Sequence, residues 1–478
     1  MRPNVVLIVL DTARADVLEP YGAPSGSSPA IADLAARGTV LRSAYATASW
    51  TLPSHASMFT GLLPRAAGVL DLPEGTPLAA RRVIESHRER VLPEVLRRAG
   101  YSTAAVSTNL WVTPMSGFGV GFDSFDTVDT GRQGRIHRES LKSRVRWDAE
   151  GVLARVDDGA AEALRALRRL TSNDGKENPF FWFVNLVECH SPYLPPKPYN
   201  DLGPVERLRA AEEARRYLTM GAIWMACAGA FEVPEEALER MRHLYRRSVR
   251  QLDDWVGTLL EELERHALLD QTLVIVTSDH GENFGENGYM AHAFSLDERL
   301  LRVPLVAAGP GEPADDGVAS LAELPLMIAE ATGLEEHPWS GSPWSNGAAV
   351  AQFEPPARAE HPRWRQVFAE WGVDYEHAVE RLARELACAT DGSLKLLRRG
   401  ATEELYDLAT DPLELSPASP ADHEDAAAVE RLRRTLDEAA RQDAGAAAVA
   451  STTPVEAAEI SPEERRDLEE RMRLLGYM

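Results

Sequence analysis

The stretch Val5-Val6-Leu7-Ile8-Val9-Leu10, followed directly by Asp11, decides the fold class of this chain. A continuous run of aliphatic, mostly β-branched residues is typical of a strand that helices cover on both faces. The aspartate at its end has two interpretations, since Asp often begins a turn, but ligands of open α/β sheets bind at the carboxyl ends of the strands. The stretch therefore predicts a buried parallel sheet and leaves the role of Asp11 open.

Three further apolar runs extend this pattern along the chain. They are Tyr101–Ser107, Phe180–Val184 and Thr272–Thr277, and polar residues follow each of them. Amphipathic helical segments alternate with these runs, as at Arg90–Ala99 and Leu238–Arg265. This alternation predicts an α/β fold with a doubly wound, mostly parallel central sheet.

The stretch Ser49-Trp50-Thr51-Leu52-Pro53-Ser54-His55-Ala56-Ser57-Met58-Phe59-Thr60-Gly61 reads as a short helix. Pro53 suits its first turn, and Gly61 suits the position just past its end. Thr51 then lies just ahead of the helix N-terminus, where free backbone N–H groups and the helix dipole attract anions. A threonine there either caps the helix or attacks a bound anion as a nucleophile, and the stretch alone leaves both roles open.

The segment Ser278-Asp279-His280-Gly281 directly follows the last of the apolar runs. Adjacent Asp and His side chains at a strand end, beside a glycine that lets the backbone approach closely, are typical of a metal site. His292 follows within a Gly-rich loop. The segment therefore predicts that Asp279 and His280 ligate a metal ion.

The chain is acidic, with a formal net charge of −23 from 74 acidic and 51 basic residues. This charge disfavours nucleic acid and anionic membrane surfaces as partners. It leaves an anionic small substrate open, because a metal ion and a few histidines can reverse the sign locally. The three cysteines form neither a disulfide framework nor a metal-binding spacing. No secretion signal or membrane-spanning stretch is visible, and we expect a soluble, cytoplasmic protein without a membrane anchor.

At 478 residues the chain is long enough for one large domain and a smaller companion. We expect a catalytic domain over residues 1–380 and a small C-terminal α+β subdomain with terminal helices over residues 381–478. A helical insertion is expected at about residues 203–235. Its apolar Met220–Ala230 segment either covers the site or contacts a second copy of the chain, so a homo-oligomer stays open.

Short antiparallel strands are expected in the last part of the chain. Their positions are Gln366–Trp371, Glu385–Thr390 and Ser393–Arg398. An Ala-rich flexible linker is expected at Asp443–Thr453, followed by a final amphipathic helix at Pro462–Leu475.

Taken together, these features resemble the sulfatase-like branch of the alkaline phosphatase superfamily, nearly from end to end. The specific motifs of the resemblance are Thr51–Gly61 and Ser278–Gly281. The other matching segments are Asn4–Asp16, Glu188–Tyr193, Asp253–Gly257, Asp279–Leu305, Glu404–Leu408 and Leu475–Tyr477.

The resemblance implies a metal-dependent site that acts on a small anionic ester. Asp11, Asp279 and His280 would ligate one divalent cation, and the oxygen of Thr51 would complete the ligand set. Mixed carboxylate and imidazole ligation leaves the ion open among Mn, Zn, Ca and Mg. A cation in contact with the threonine hydroxyl would favour its alkoxide form and neutralise charge on the ester oxygens.

The resemblance also implies roles for the residues around the metal. Contact with the non-bridging oxygens or protonation of the leaving group is expected of His55, His190 and His292, and further substrate contacts are expected of Asn109, Arg14 and Glu188. Two-metal relatives need an additional Asp/His set at close spacing, which Glu188 and His190 do not supply. We therefore expect one metal ion.

Departures from the family pattern decide the expected chemistry. Sulfatases carry Cys or Ser where this chain has Thr51, and they oxidise that residue to formylglycine, whose hydrate has a second hydroxyl that expels sulfate. Threonine cannot form that aldehyde, whereas a phosphorylated threonine can be discharged by water or an acceptor alcohol. The usual Arg after Pro-Ser is His55 here, and the Lys-x-His of arylsulfatases is absent, with Asn109 nearby.

The sequence therefore supports a hydrolase of phosphoesters or phosphonoesters with Thr51 as covalent nucleophile. Three alternatives remain open: a sulfate ester hydrolase without formylglycine, a phospho-group transferase, and a catalytically silent binding protein. The absence of a visible membrane anchor weakens the transferase interpretation, since lipid-modifying relatives usually have one. The retention of all the candidate site residues argues against the silent protein.

Overall fold

A computed structural model describes residues 2–70, 77–128, 141–155, 160–172, 178–292, 294–315, 317–339, 347–355 and 362–450. The strands in this part of the chain are β1 Asn4–Leu10, β2 Thr39–Val40, β3 Ser43–Tyr45, β4 Ser102–Ser107, β5 Ser124–Thr127, β6 Phe180–Leu186, β7 Thr272–Thr277, β8 Asn283–Phe284, β9 Met290–Ala291, β10 Arg302–Val303, β11 Leu305–Ala308, β12 Val318–Ser320, β13 Ala349–Phe353, β14 Leu386–Thr390, β15 Leu394–Arg399 and β16 Thr402–Asp407.

The α-helices complete this inventory. They are α1 Pro29–Ala35, α2 Thr51–Thr60, α3 Pro77–Ser86, α4 Leu92–Arg98, α5 Leu141–Leu153, α6 Ala160–Ser172, α7 Pro204–Tyr217, α8 Met220–Cys227, α9 Glu235–Arg265, α10 Glu298–Leu301, α11 Leu324–Thr332, α12 Pro362–Trp371, α13 Tyr375–Leu382 and α14 Ala426–Ala450.

The centre of the fold is a seven-stranded sheet with the spatial order β2-β11-β7-β1-β6-β4-β5. The five strands from β7 to β5 in this order are parallel, and β11 runs antiparallel to both β7 and β2. Every residue of Val5–Leu10 is at most 1% exposed, as a strand covered on both faces must be. The predicted α/β fold with a mostly parallel central sheet is confirmed.

The parallel arrangement places the site at one edge of this sheet. β1 lies between β6 and β7, with Val9 opposite both Asn185 and Thr277. The residues that follow the carboxyl ends of these strands therefore come together, although those after β1 precede the others by more than 170 positions in sequence.

A second, four-stranded antiparallel sheet has the order β13-β14-β15-β16, and the long helix α14 packs on it through Val429, Leu432 and Leu436. The expected strand at Gln366–Trp371 is wrong, because this segment belongs to helix α12. Its large apolar residues recur at helical spacing, at Trp364, Val367, Phe368 and Trp371. The edge strand is instead Ala349–Phe353, all of whose residues are buried.

Two further expectations concern helices. The insertion forms two helices, α7 and α8, ahead of the long helix α9, which begins at Glu235. Helix α14 continues to Ala450, so the linker expected from Asp443 is wrong over that part. The expected helix Pro462–Leu475 lies outside the described residues. No α-helix in the described ranges is long and apolar enough to cross a bilayer.

Candidate active site

The carboxyl ends of strands β1 and β7 bring two carboxylates and an imidazole into one buried cluster. Asp11 follows β1, and Asp279 and His280 follow β7, with all three side chains fully buried. One ligand atom from each of the three lies within 4.8 Å of the others. The structure thus brings together the three predicted protein ligands of the metal.

The Asp11 carboxylate has one oxygen engaged and one oxygen available. Its Oδ2 accepts a hydrogen bond of 2.6 Å from Asn109 Nδ2, whereas Oδ1 has no hydrogen-bond partner among the described residues. Burial, together with the neighbouring charge of Asp279, raises the pKa of Asp11 well above its usual value. A buried carboxylate oxygen without a donor is costly, and a cation bound to this oxygen would offset that cost.

Asp279 repeats this arrangement from the opposite side of the cluster. Its Oδ1 accepts from the backbone N–H groups of Thr12, at 3.1 Å, and His280, at 2.9 Å. Its Oδ2 has no hydrogen-bond partner within the described part of the chain. Burial raises the pKa of Asp279 as well. Two carboxylates that disfavour their charged forms in this way favour a divalent cation between them.

His280 is oriented for ligation through Nε2. Its Nδ1 lies 2.9 Å from the carbonyl oxygen of Gly281, which only accepts, so Nδ1 carries the proton and Nε2 keeps its lone pair. Burial and the nearby His292 ring lower the pKa of His280, which keeps the imidazole neutral. Gly281 is required here, because a Cβ at this position would lie 1.8 Å from the Arg299 carbonyl oxygen.

Thr51 is the first residue of helix α2, one position further into the helix than the sequence predicted. Its Oγ1 lies 3.4 Å from His280 Nε2, and the residue is 4% exposed. Gly61 ends the helix in the left-handed conformation, with φ 69°, as predicted. The structure therefore brings the Thr51 hydroxyl to the edge of the carboxylate–imidazole cluster.

The residues present fit a divalent cation. Two carboxylate oxygens without donors, one imidazole lone pair and one hydroxyl are offered at a single buried position. Such a mixed O/N donor set suits Mn, Zn, Mg or Ca, so the donors do not select the ion.

His190 and His292 form the more exposed rim of the cluster. Their ring centroids are 4.8 Å apart, and His292 lies 4.6 Å from the His280 ring. His292 Nδ1 lies 2.9 Å from Glu282 Oε1. Burial lowers the pKa of His292, but the contact with Glu282 and the charge of Asp279 outweigh it and raise the pKa. His292 is thus held by Glu282 next to the predicted metal ligand His280.

His55 has one ring nitrogen engaged by the chain, whereas its Nε2 has no hydrogen-bond partner among the described residues. Its Nδ1 lies 2.9 Å from the Thr51 carbonyl oxygen and 3.5 Å from Asp279 Oδ2. The fully buried ring packs edge-to-face against Phe118 and Phe183. The structure therefore places His55 against Thr51 and near Asp279, a candidate metal ligand.

The three expected substrate contacts also have other partners. Asn109 donates to Asp11, and its Oδ1 accepts from Trp111 N at 2.7 Å. The guanidinium of Arg14 bonds Asp16 and Glu286, so its donors are already engaged. Glu188 is fully buried close to the end of β6.

Sequence reasoning missed Thr12 and Glu282. Thr12 adopts φ 64°, which turns its N–H toward the Asp279 carboxylate. Glu282 orients His292 through a side chain that is fully buried. The signal for both was adjacency, since each lies within two residues of a predicted ligand, but adjacency does not show which way a side chain points.

Comparison with known proteins gives a consistent picture. The family model described as Sulfatase matches residues 3–334. The chain is 26% identical over 454 residues to a choline-sulfatase of Rhizobium meliloti. This alignment covers 87% of this chain and 82% of the choline-sulfatase. The chain is 26% identical over 345 residues to an iduronate 2-sulfatase of Mus musculus, covering 65% of this chain. The match spans 60% of the length of the mouse protein.

Solved structures agree on the fold. The phosphonate monoester hydrolase of Agrobacterium radiobacter superposes with a TM-score of 0.62 at 21% identity, covering 92% of this chain and 96% of that structure. At this identity the likeness concerns the fold, with its large mostly parallel sheet.

Proposed function

The chain belongs to the sulfatase family and is an ester-hydrolysing enzyme, and on this premise we propose that it hydrolyses phosphoesters or phosphonoesters with Thr51 as covalent nucleophile. The observation that carries the proposal is the position of Thr51 Oγ1, 3.4 Å from Nε2 of His280, a residue that clusters with Asp11 and Asp279. A buried hydroxyl at this point is the one nucleophilic oxygen that a shared cation would also contact.

Asp11, Asp279, His280 and Thr51 would hold one divalent cation. When bound, such an ion favours the alkoxide form of a hydroxyl and neutralises charge on the ester oxygens. The Asn109 amide holds the Asp11 carboxylate in place, and the Thr12 N–H does the same for Asp279.

In the proposed reaction Thr51 starts as its alkoxide, having given its hydroxyl proton to solvent, and this oxygen attacks phosphorus. The bond from phosphorus to the leaving alcohol breaks, and a phosphothreonine forms. His292, whose pKa is raised by the contact with Glu282, gives a proton to the departing oxygen. A water molecule then attacks phosphorus and gives a proton to His292, while the bond between phosphorus and Thr51 Oγ1 breaks. The products are the free alcohol and the phosphorus acid, and the enzyme returns to its starting state.

The charge of the site supports a substrate with a single negative charge. The ion pairs of Asp279 in the described part of the chain involve only histidines, His55 and His280, both with lowered pKa. Two carboxylates and an ionised Thr51 balance one divalent cation and the protonated His292 that the reaction uses, which leaves no excess positive charge for a dianion. Phosphodiesters and phosphonate monoesters carry one charge, so we infer that they are preferred over phosphate monoesters.

Sulfate ester hydrolysis is the second candidate, because the choline-sulfatase and iduronate 2-sulfatase relatives carry that activity in their names. A sulfate ester is also a monoanion. Against it stands Thr51, which cannot become formylglycine and, once sulfated, lacks the second hydroxyl that would expel sulfate.

The test compares Thr51→Ala with Thr60→Ala, the same change at the other end of helix α2. Both proteins and wild type are assayed with Mn²⁺ on bis-nitrophenyl phosphate, a phenylphosphonate nitrophenyl ester, nitrophenyl phosphate and nitrophenyl sulfate. We expect Thr51→Ala to lower turnover by at least about 1,000-fold, in the range seen when a nucleophile is removed. Mn²⁺ binding by calorimetry should remain, because Asp11, Asp279 and His280 are intact.

Intact mass spectrometry of the quenched reaction should detect a phosphoryl or phosphonyl group on the wild-type chain and none on Thr51→Ala. Turnover that survives Thr51→Ala would remove the nucleophile from the proposal. Turnover of nitrophenyl sulfate alone would favour the second candidate.

A further inference from the structure

A buried ion cluster lies outside the described site, in the C-terminal sheet. Lys395, on β15, has a side chain with 0% exposure. Its Nζ lies 2.7 Å from Glu414 Oε1 and 3.4 Å from Glu298 Oε1, and it donates to the Leu296 carbonyl oxygen. We define these residues, Lys395, Glu414, Glu298 and Leu296, as the Lys395 cluster. Burying the ammonium group of a lysine costs desolvation free energy, and the three acceptors of the Lys395 cluster offset that cost.

The Lys395 cluster holds the end of the loop that carries His292. Leu296 and Glu298 lie four and six residues after that histidine. Within the loop, the Asp297 carboxylate accepts from Asn283 Nδ2 at 3.2 Å and from Asn287 Nδ2 at 3.0 Å. The loop is thus bonded across its own width, and Lys395 anchors its far end to another sheet.

The same cluster reaches the backbone behind His280. Glu414 Oε2 accepts from the Glu298 N–H at 2.6 Å, which fixes the start of helix α10. The next residue of that helix is Arg299, whose carbonyl oxygen would lie 1.8 Å from a Cβ on Gly281. Gly281 N also donates to the Leu300 carbonyl oxygen at 2.8 Å. A shift of α10 would therefore be transmitted directly to the residue that follows His280.

A third contact leads toward the nucleophile. The Tyr45 hydroxyl donates to Glu298 Oε2 at 3.2 Å. Tyr45 is the last residue of β3 and precedes Thr51 by six positions. The Lys395 cluster therefore touches the segments that carry the proton donor, a metal ligand and the nucleophile.

We propose that Lys395 is a positioning residue of the active site, and that through the Lys395 cluster the C-terminal sheet holds the His292 loop and helix α10 in the catalytic arrangement. This inference rests on the proposed function for its kinetic part. It makes the C-terminal sheet a component of the site and not an accessory to the main sheet.

The first test is Lys395→Met, compared with Glu403→Gln. Glu403 lies on the neighbouring strand β16, pairs with Arg398 and Arg433, and is partly exposed, so its loss perturbs the same sheet without touching the cluster. We expect Lys395→Met to lower kcat on the phenylphosphonate ester by about 100-fold, the size of effect that a 1 Å misplacement produces. KM should change much less, because the proton donor acts in the transition state.

Hydrogen exchange of the Mn²⁺-loaded protein supplies a readout that does not depend on turnover. Amides of residues 283–300 should exchange faster in Lys395→Met than in wild type or Glu403→Gln, while those of β1 and β6 should be unchanged. Lys395→Arg, which keeps the charge, should restore part of the protection and part of kcat.

The triple variant Lys395→Met/Glu298→Gln/Glu414→Gln separates positioning from folding. Removing all three charges leaves no uncompensated carboxylate, so its stability should approach that of wild type. If its kcat and exchange protection stay low, positioning is supported. If both recover with stability, or if Lys395→Met leaves loop exchange and kcat unchanged, the inference is overturned. If wild type turns over none of the esters, the proposed function fails, and the exchange experiment alone still decides the inference.

Discussion

Two buried charge clusters of this molecule differ in how far they are satisfied. The Lys395 cluster pairs one cation with Glu414 and Glu298 and also bonds a backbone carbonyl. The cluster of Asp11 and Asp279 is equally buried, yet each carboxylate keeps one oxygen without a hydrogen-bond partner among the described residues.

This difference distinguishes a cluster that stabilises the fold from a cluster that is available to bind a ligand. A charge is buried stably only when partners replace its hydration, and the Lys395 cluster supplies those partners from the chain itself. Burial lowers the pKa of Lys395, but the charges of Glu414 and Glu298 outweigh it and raise the pKa. At the sheet edge burial raises the pKa values of Asp11 and Asp279, as it also does for Glu414 in the Lys395 cluster. The two clusters therefore differ in their hydrogen bonding, because only the two aspartates keep an oxygen without a partner among the described residues that form the clusters. These two carboxylate oxygens are the ones that would contact the proposed cation.

The largest change in the free energy of unfolding is expected when the Lys395 cluster is broken. Lys395→Met should lower the free energy of unfolding by about 3–5 kcal/mol, because two carboxylates would stay buried without their cation. Urea unfolding measures this change. Glu403→Gln, at a partly exposed ion pair, should cost about 0–1 kcal/mol. Equal losses in the two variants would show that the Lys395 cluster is no more important than a surface pair.

Asp11→Asn should weaken Mn²⁺ binding without destabilising the metal-free protein, in contrast to Lys395→Met. Mn²⁺ affinity should fall by more than about 100-fold, beyond the usual cost of losing an outer partner of a metal ligand. The metal-free protein should not be destabilised, because one of two repelling carboxylates is removed. Calorimetry and urea unfolding in chelator measure the two quantities.

Asp253→Asn is the matched control for this variant. Asp253 is also fully buried, but it bonds the N–H groups of Ala30 and Ile31 at the start of α1. Its substitution should leave Mn²⁺ affinity unchanged. A similar loss of affinity in both variants would contradict the assignment of Asp11 as a ligand.

Asn109→Ala tests the support of the unsatisfied cluster. The variant removes the 2.6 Å hydrogen bond to Asp11 Oδ2 and should lower Mn²⁺ affinity by about 10–100-fold. Asn4→Ala, at the opposite end of the sheet, should have no effect on Mn²⁺ binding. An unchanged affinity in Asn109→Ala would mean that Asp11 keeps its orientation without the amide.

A smaller effect is expected in the pH dependence of the stability of the metal-free protein, which tests the difference between the two clusters. Because the folded-state pKa values of Asp11 and Asp279 are raised, the metal-free folded protein binds more protons than the unfolded chain above the usual carboxyl pKa. The contribution of these two carboxyl groups to the free energy of unfolding is present at low pH and is lost as pH rises through the raised pKa values. The free energy of unfolding falls by up to about 1.4 kcal/mol per pH unit for each excess proton.

Bound Mn²⁺ should remove this loss, because the cation stabilises both carboxylates in their charged forms. Urea unfolding at several pH values, with chelator and with Mn²⁺, measures the difference between the two curves. Parallel curves would show that these carboxylates do not bind the ion. Mn²⁺ affinity itself should weaken as pH falls, since protons compete for the same oxygens.

Prediction from sequence succeeded where the signal was local and periodic. The apolar runs around Val5–Leu10 and Thr272–Thr277 became central parallel strands, and Gly61 ended its helix in the left-handed conformation. It failed at Gln366–Trp371, where helical spacing of aromatic residues was taken for a strand. The substrate contacts expected of His55 and Arg14 stay predictions, although His55 Nδ1 and the Arg14 guanidinium contact other groups of the chain.

By itself the sequence determined which residues stand at strand ends, because hydrophobic periodicity is a property of neighbouring positions. Only the tertiary structure decided which of those polar groups are satisfied. Asp11 and Asp279 are 268 positions apart, and Lys395 meets Leu296 across 99 positions. Hydrogen bonding and desolvation depend on distances in space, so the contrast between an open site and a closed ion cluster exists only in the folded chain.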